Sequence, residues 1–156
     1  MEKDYKLAIS VGIIGGIVTT IPTILFLLAF FTSSDLWGIK MVLPIIMFVV
    51  SFFGTIGVGI LAVYYTRPLL HTMMDVIKVS GIAGAVSGIL YGVILACVSI
   101  IWQFIYTPTP NSYIGFSVAS STIGIPLYII FMAALNAFLA IIGGTAYAIS
   151  KSPIKL

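Results

Sequence analysis

Three long stretches of this chain contain no acidic, basic or histidine side chain: residues 7–34, 41–66 and 79–150. A helix needs about 20 apolar residues to cross a 30 Å hydrocarbon core. The first two stretches hold one crossing each, and the third holds two, because a turn-rich segment at 107–121 divides it. The sequence therefore predicts four transmembrane helices at about 7–31, 41–65, 79–105 and 122–149.

Composition also points to a membrane protein. Only 7% of the 156 residues are charged and 61% are hydrophobic, whereas a soluble domain typically has about 25% charged residues. The apolar runs are continuous, which favours helices over the alternating strands of a membrane barrel. We therefore predict one all-α integral membrane domain over residues 1–156. The basic residues are spread along the chain, so no nucleic-acid partner is expected.

The seven basic residues indicate the orientation of this domain. In a four-span topology only Lys40 falls on one side of the membrane. The other six fall on the opposite side: Lys3, Lys6, Arg67, Lys78, Lys151 and Lys155. Because Lys and Arg are enriched in cytoplasmic segments, we predict a multi-pass protein with both termini and the middle connection cytoplasmic.

Small side chains recur at every fourth position in each predicted helix. The row in the third helix is Ser80, Gly84, Gly88, Gly92 and Ala96. The rows in the other helices are Ala8, Gly12, Gly16 and Thr20; Ser51, Thr55 and Gly59; and Asn136, Ala140, Gly144 and Ala148. Positions four apart share one helix face, and small side chains there let two backbones approach closely. These rows predict helix packing, within the bundle or between chains.

A set of polar residues falls near the middle of the predicted spans: Thr19, Thr20, Thr55, Tyr91 and Asn136. A carboxamide in hydrocarbon needs a hydrogen-bond partner, because an unpaired polar group there costs several kcal/mol. We therefore expect Asn136 to face inward and to bond a hydroxyl or a carbonyl. The set has two interpretations. It is an interhelical clip, or it is a polar site for a ligand or permeant beside Pro22, which is expected to kink the first helix.

The two halves of the chain are weakly alike. The segment GILAVYYTR at 59–67 resembles GGTAYAISK at 143–151. This pattern suggests two tandem parallel helical hairpins around an axis normal to the membrane. Convergence is the alternative, because Gly, Ala and Ile dominate many membrane helices.

The middle segment at 68–78 has a helical rhythm of apolar residues, which predicts a short interfacial helix or an extension of the third helix. His71 and Asp75 lie four residues apart and could meet each other or a metal. Two ligands do not make a metal site, so a solvated polar face is the simpler interpretation. Cys97, the single cysteine, is expected to be a small packed side chain.

No Asp, Glu, Lys, Arg or His lies inside a predicted span, although proton relays and ion-coupled transport ordinarily use such residues. We therefore predict no enzymatic activity, no catalytic residues, no cofactor and no metal site. The first hypothesis is a non-catalytic structural or accessory subunit of a larger membrane assembly, whose partners are lipids and other membrane chains or copies of itself. The alternative is a small oligomeric transporter or channel for a neutral or apolar substrate.

Overall fold

The computed structural model describes the backbone of residues 2–32, 37–106 and 113–151. Side chains are described over residues 5–25, 45–46, 49–98, 100 and 124–151. This part of the chain is helical throughout, apart from the short connection before residue 73. The elements are α1 (Glu2–Thr32), α2 (Trp37–Thr66), a single 3-10 turn (Arg67–Leu69), α3 (Met73–Tyr106) and α4 (Tyr113–Lys151). All four helices are long and apolar enough to cross a membrane, as expected of a multi-pass membrane protein.

Each helix is longer than its predicted span. Of the two alternatives for the middle segment, the extension of the third helix is the one observed, because α3 begins at Met73. The prediction of a loop at 113–121 is wrong, because α4 already begins at Tyr113; residues 107–112 lie outside the described part. Pro126 consequently lies inside α4. Charges and prolines mark where hydrocarbon ends, but a helix keeps its own backbone hydrogen bonds beyond that point.

The four helices form a bundle in which α2 and α3 each contact all the other helices. Helices α1 and α4 lie on opposite sides of this central pair. Gly15 faces Val58 and Gly54 faces Thr19, so α1 and α2 run antiparallel. This arrangement brings the beginnings of α1 and α3 and the ends of α2 and α4 to one end of the bundle.

The start of α3 is fixed by a capping box. The backbone N–H of Asp75 donates to the Thr72 hydroxyl at 3.2 Å, and the backbone N–H of Thr72 donates to Asp75 Oδ2 at 3.0 Å. The same carboxylate oxygen accepts the Thr72 hydroxyl at 2.9 Å and the His71 backbone N–H at 3.3 Å. Two of the helix's unpaired N-terminal donors are thereby satisfied. The described contact of His71 with Asp75 thus runs through the backbone of His71.

Apart from Leu139, the buried apolar residues among those described are small or β-branched. One cluster contains Ala8, Val58, Ala62, Val79 and Ala83, and joins α1, α2 and α3. A second joins α2, α3 and α4 through Val63, Val76 and Ala148. Large apolar side chains face outward instead; Phe53, for example, is 65% exposed. Cys97 is also exposed, so the expectation that it packs inside was wrong.

Candidate functional site

Helices α1 and α3 meet along glycines of α1. A methyl group on Gly12 would lie 2.5 Å from the carbonyl oxygen of Ala83, and one on Gly16 would lie 3.0 Å from that of Ser87. A side-chain carbon essentially never approaches another atom as closely as 2.5 Å, and 3.0 Å is also an unusually tight contact. The backbone of α3 can therefore occupy its position only because Gly12 lacks a side chain, and a side chain on Gly16 would require α3 to shift.

Helices α3 and α4 meet along glycines of α3. A methyl group on Gly84 would collide with the backbone oxygen of Asn136, and one on Gly88 with that of Met132. Gly92 is less crowded, because its methyl group would lie 3.1 Å from the Cα of Ile129. The predicted row of α3 thus lies against α4 over at least two helical turns.

Helices α2 and α4 meet in a reciprocal contact. Gly59 of α2 lies against the carbonyl of Ala140, and Gly143 of α4 lies against the carbonyl of Ile56. Gly143 and Ala140 follow Gly59 and Ile56 by the same 84 positions. Exchanging the two helices therefore exchanges the two contacts, as across a two-fold axis. We call this contact the α2–α4 seam.

Gly144 completes the predicted row of α4. A methyl group on it would lie 2.7 Å from the Cβ of Ser80 and 2.9 Å from a methyl group of Val63. Gly144 therefore lies where α4 fills the groove between α2 and α3.

Such contacts have a physical advantage in a membrane. Lipid tails are as apolar as leucine, so helices gain little from hydrophobic burial when they associate. Close backbone approach adds many small dispersion contacts. It also adds Cα–H···O contacts, which are worth about 0.5–1 kcal/mol each. A larger side chain at the same point separates the helices and removes both.

Two of the predicted polar residues come together between α2 and α4. The Thr55 hydroxyl lies 3.1 Å from Asn136 Oδ1 and 2.9 Å from the carbonyl oxygen of Ser51, one turn earlier in its own helix. Thr55 is 3% exposed and Asn136 is 6% exposed. The carboxamide thus has a hydroxyl partner on a neighbouring helix.

The remaining predicted polar residues have other partners. Thr20 donates to the carbonyl of Gly16 at 2.5 Å, and Thr19 lies 2.9 Å from the carbonyl of Gly15. These hydroxyls therefore bond their own helix rather than Asn136. The hydroxyl of Tyr91 lies 3.3 Å from that of Thr23, which links α3 to α1.

Among the described side chains, that of Ser87 has a buried hydroxyl oxygen without a hydrogen-bond partner. It is fully buried, on the same turn of α3 that meets Gly16. Ser80, two turns earlier and equally buried, instead donates to the carbonyl of Val76 at 2.7 Å. Ser87 therefore stands out as a polar group that the described packing leaves unsatisfied.

Sequence reasoning missed several residues of these contacts. Gly15, Gly54 and Gly143 lie outside the four-residue rows, yet all three contact a neighbouring helix. The paired glycines at 15–16 and 143–144 were the available signal, because two adjacent glycines open two faces of a helix. The spacing Thr-x-x-Asp at 72–75 was the signal for the capping box.

Within the described residues, no three His, Cys, Asp or Glu side chains lie close enough together to hold a metal ion. Comparison with known protein families, curated proteins and solved structures gives no match to this chain. The site must therefore be interpreted from its own geometry.

Proposed function

We propose that this chain is a non-catalytic structural or accessory subunit of a larger membrane assembly. The observation that carries the proposal is the composition of its interior. Between the ends of the described bundle, the space among the helices is filled by glycine–backbone contacts and short side chains. The described Asp, Lys, Arg and His side chains lie near the helix ends, at Lys6, Arg67, His71, Asp75, Lys78 and Lys151. This interior favours a rigid packing unit over a proton or ion pathway.

The contacts suggest which surfaces of such a subunit pack within the chain and which remain for contacts with other chains. The small-residue faces pack the four helices of the chain against each other. Contacts with other chains would then use the large apolar side chains that face outward, such as Phe53, Ile130 and Phe131. Lipid covers whatever part of this surface a partner does not.

We also infer that the chain consists of two tandem hairpins, α1–α2 and α3–α4. The reciprocal α2–α4 seam supports this inference, because its two halves are related by the 84-residue offset of the sequence similarity. The start of α1, the end of α4 and the connection between α2 and α3 lie at one end of the bundle, which is basic. Because basic residues are enriched on the cytoplasmic side, this arrangement supports a cytoplasmic location for that end.

Site-directed photocrosslinking tests the proposed assembly. A photoreactive residue would replace outward-facing Phe53 in one variant and buried Val58 in a control variant. After crosslinking in native membranes, the Phe53 variant should form adducts of discrete mass with an integral membrane chain or a second copy. The Val58 variant should give only internal crosslinks. Adducts with lipid alone from Phe53, Ile130 and Phe131, together with a monomeric purified protein, would contradict the proposal.

A small transporter or channel for a neutral substrate is the second candidate, and Ser87 is the observation that favours it. Its unpaired buried hydroxyl, with Asn136 and Tyr91, could offer hydrogen bonds to a polar guest. Asn136→Leu separates the two functions. A structural clip loses stability, whereas a permeation site loses flux in proteoliposomes while the fold persists.

A further inference from the structure

One end of the bundle is basic and lined by tyrosines. The guanidinium of Arg67 donates to the carbonyl oxygen of Lys151 at 3.0 Å, which places the ends of α2 and α4 side by side. Lys78 lies in the second turn of α3, and Ala8 packs with Val79, so the beginnings of α1 and α3 adjoin them. We call Arg67, Lys78 and Lys151 the basic end; Lys6 of α1 lies at the same end.

The charges of the basic end are accessible and incompletely neutralised within the described residues. All three side chains are exposed. Asp75 is the described carboxylate at this end. Hydrogen bonds from Thr72 and His71 lower its pKa, and the Lys78 ammonium is close enough to lower it further. The Oδ2 atom of Asp75 is engaged in the capping box of α3, and Arg67 and Lys151 have no described carboxylate partner. Arg67 uses one of its five N–H donors on Lys151, which leaves further donors for another acceptor.

Tyrosines surround the same end. Tyr64 and Tyr65 are each 56% exposed, with ring centroids 5.3 Å apart, and the ring of Tyr147 lies 6.3 Å from that of Tyr64. Exposed tyrosines are enriched at the level of lipid head groups, where the ring meets hydrocarbon and the hydroxyl meets water. Their position indicates that the basic end lies at the depth of the head groups.

We propose that the basic end binds the phosphate groups of anionic phospholipids. Charge complementarity supports this occupant, since each exposed Lys or Arg near an anionic leaflet attracts it. The guanidinium of Arg67 can also present two parallel N–H donors to a phosphate. The surface would hold anionic lipid around the α2–α4 end of the bundle. This proposal stands whether or not the chain assembles with other chains.

Native mass spectrometry of the full chain in a mild non-ionic detergent tests the proposal. The protein would be titrated with short-chain phosphatidylglycerol, phosphatidylcholine or inorganic phosphate. Phosphatidylglycerol should bind more tightly than phosphatidylcholine. Each charge removed, by Lys78→Gln or Arg67→Gln, should weaken its binding about fivefold. Lys40→Gln, at the end predicted to lie across the membrane, is the matched control and should leave binding unchanged.

Comparing Lys78→Gln with Arg67→Gln distinguishes a loss of lipid binding from a loss of folding. Arg67 supports the end of α4 through its bond to Lys151, whereas no described hydrogen bond depends on the Lys78 side chain. Equal retention of the two lipids, or unchanged binding in Lys78→Gln, would overturn the proposal. Displacement of phosphatidylglycerol by millimolar inorganic phosphate would also overturn it, because it would indicate a site for free anions.

Discussion

The hydroxyl of Thr55 and the carboxamide oxygen of Asn136 lie 3.1 Å apart across the interface between α2 and α4. Both side chains are buried, so each would be costly to leave without a partner. Thr55 has a second acceptor in the Ser51 carbonyl, whereas the described partner of Asn136 is Thr55. This hydrogen bond therefore links α2 to α4 in the buried interior, and neither of its two side chains is charged.

We expect Thr55 and Asn136 to be energetically coupled. Interhelical hydrogen bonds in membrane proteins contribute on average about 0.6 kcal/mol, and up to about 1.7 kcal/mol. A double-mutant cycle of Thr55→Val and Asn136→Leu should give a coupling energy in this range, measured by reversible unfolding in mixed detergent micelles. Additive effects of the two substitutions would show that the contact contributes nothing to stability.

Alanine substitution in the α2–α4 seam should separate the helices. A methyl group on Gly59 would collide with the backbone of Ala140, and that backbone cannot rotate away as a side chain could. Gly59→Ala should therefore lower the free energy of unfolding by about 1–3 kcal/mol. Gly57→Ala is the matched control, because nothing lies within 4 Å of its new methyl group. Equal stability of the two variants would rule out the close approach.

Removing the Ser87 hydroxyl should not destabilise the protein. An unpaired buried polar group costs about 1–3 kcal/mol, so Ser87→Ala should leave the free energy of unfolding unchanged or raise it within that range. Ser80→Ala is the comparison, since Ser80 is equally buried and bonded to Val76. A larger loss for Ser87→Ala than for Ser80→Ala would contradict this prediction, because it would show that the Ser87 hydroxyl has a hydrogen-bond partner in the folded protein.

The capping box should govern the order of the first turn of α3. Thr72→Ala removes the side-chain acceptor for the Asp75 N–H, and loss of such a cap typically costs about 1 kcal/mol. Hydrogen exchange at residues 73–76 should become faster by a corresponding factor of about five. Ser10→Ala, which removes a hydroxyl bonded to Lys6 within α1, should leave exchange in α3 unchanged. Unaltered exchange in Thr72→Ala would show that the cap is dispensable.

Periodicity in the sequence indicates one face of each helix, but it does not indicate which helix that face contacts. The rows containing Gly16 and Gly59 look alike in sequence, yet Gly16 lies against Ser87 and Gly59 against Ala140. A spacing of four defines a direction around one helix and contains no information about which helix stands there. The pairing depends on how all four helices pack together, and single-sequence patterns do not report that.

Neither the depth nor the direction of the polar residues was fully predictable. Counting from the ends of the spans predicts Tyr91 and Asn136 near the same level, but Asn136 lies against Gly84, two turns of α3 before Tyr91. Each does have a hydroxyl partner on another helix. Their partners are different residues, however: Thr23 for Tyr91 and Thr55 for Asn136. Thr23 escaped notice because a threonine can bond its own helix, as Thr20 does, so its residue type alone predicts no interhelical contact.

The symmetry of the α2–α4 seam bears on the history of the chain. A gene for a single hairpin would encode a product that could form the α2–α4 seam with a second copy of itself. The seam glycine of each copy would then contact the backbone of the other copy. Fusing two such genes would fix the ratio of the halves at one to one. Later substitutions could then differ between the halves: at the same 84-residue offset, Leu139 corresponds to Thr55 and Phe52 corresponds to Asn136.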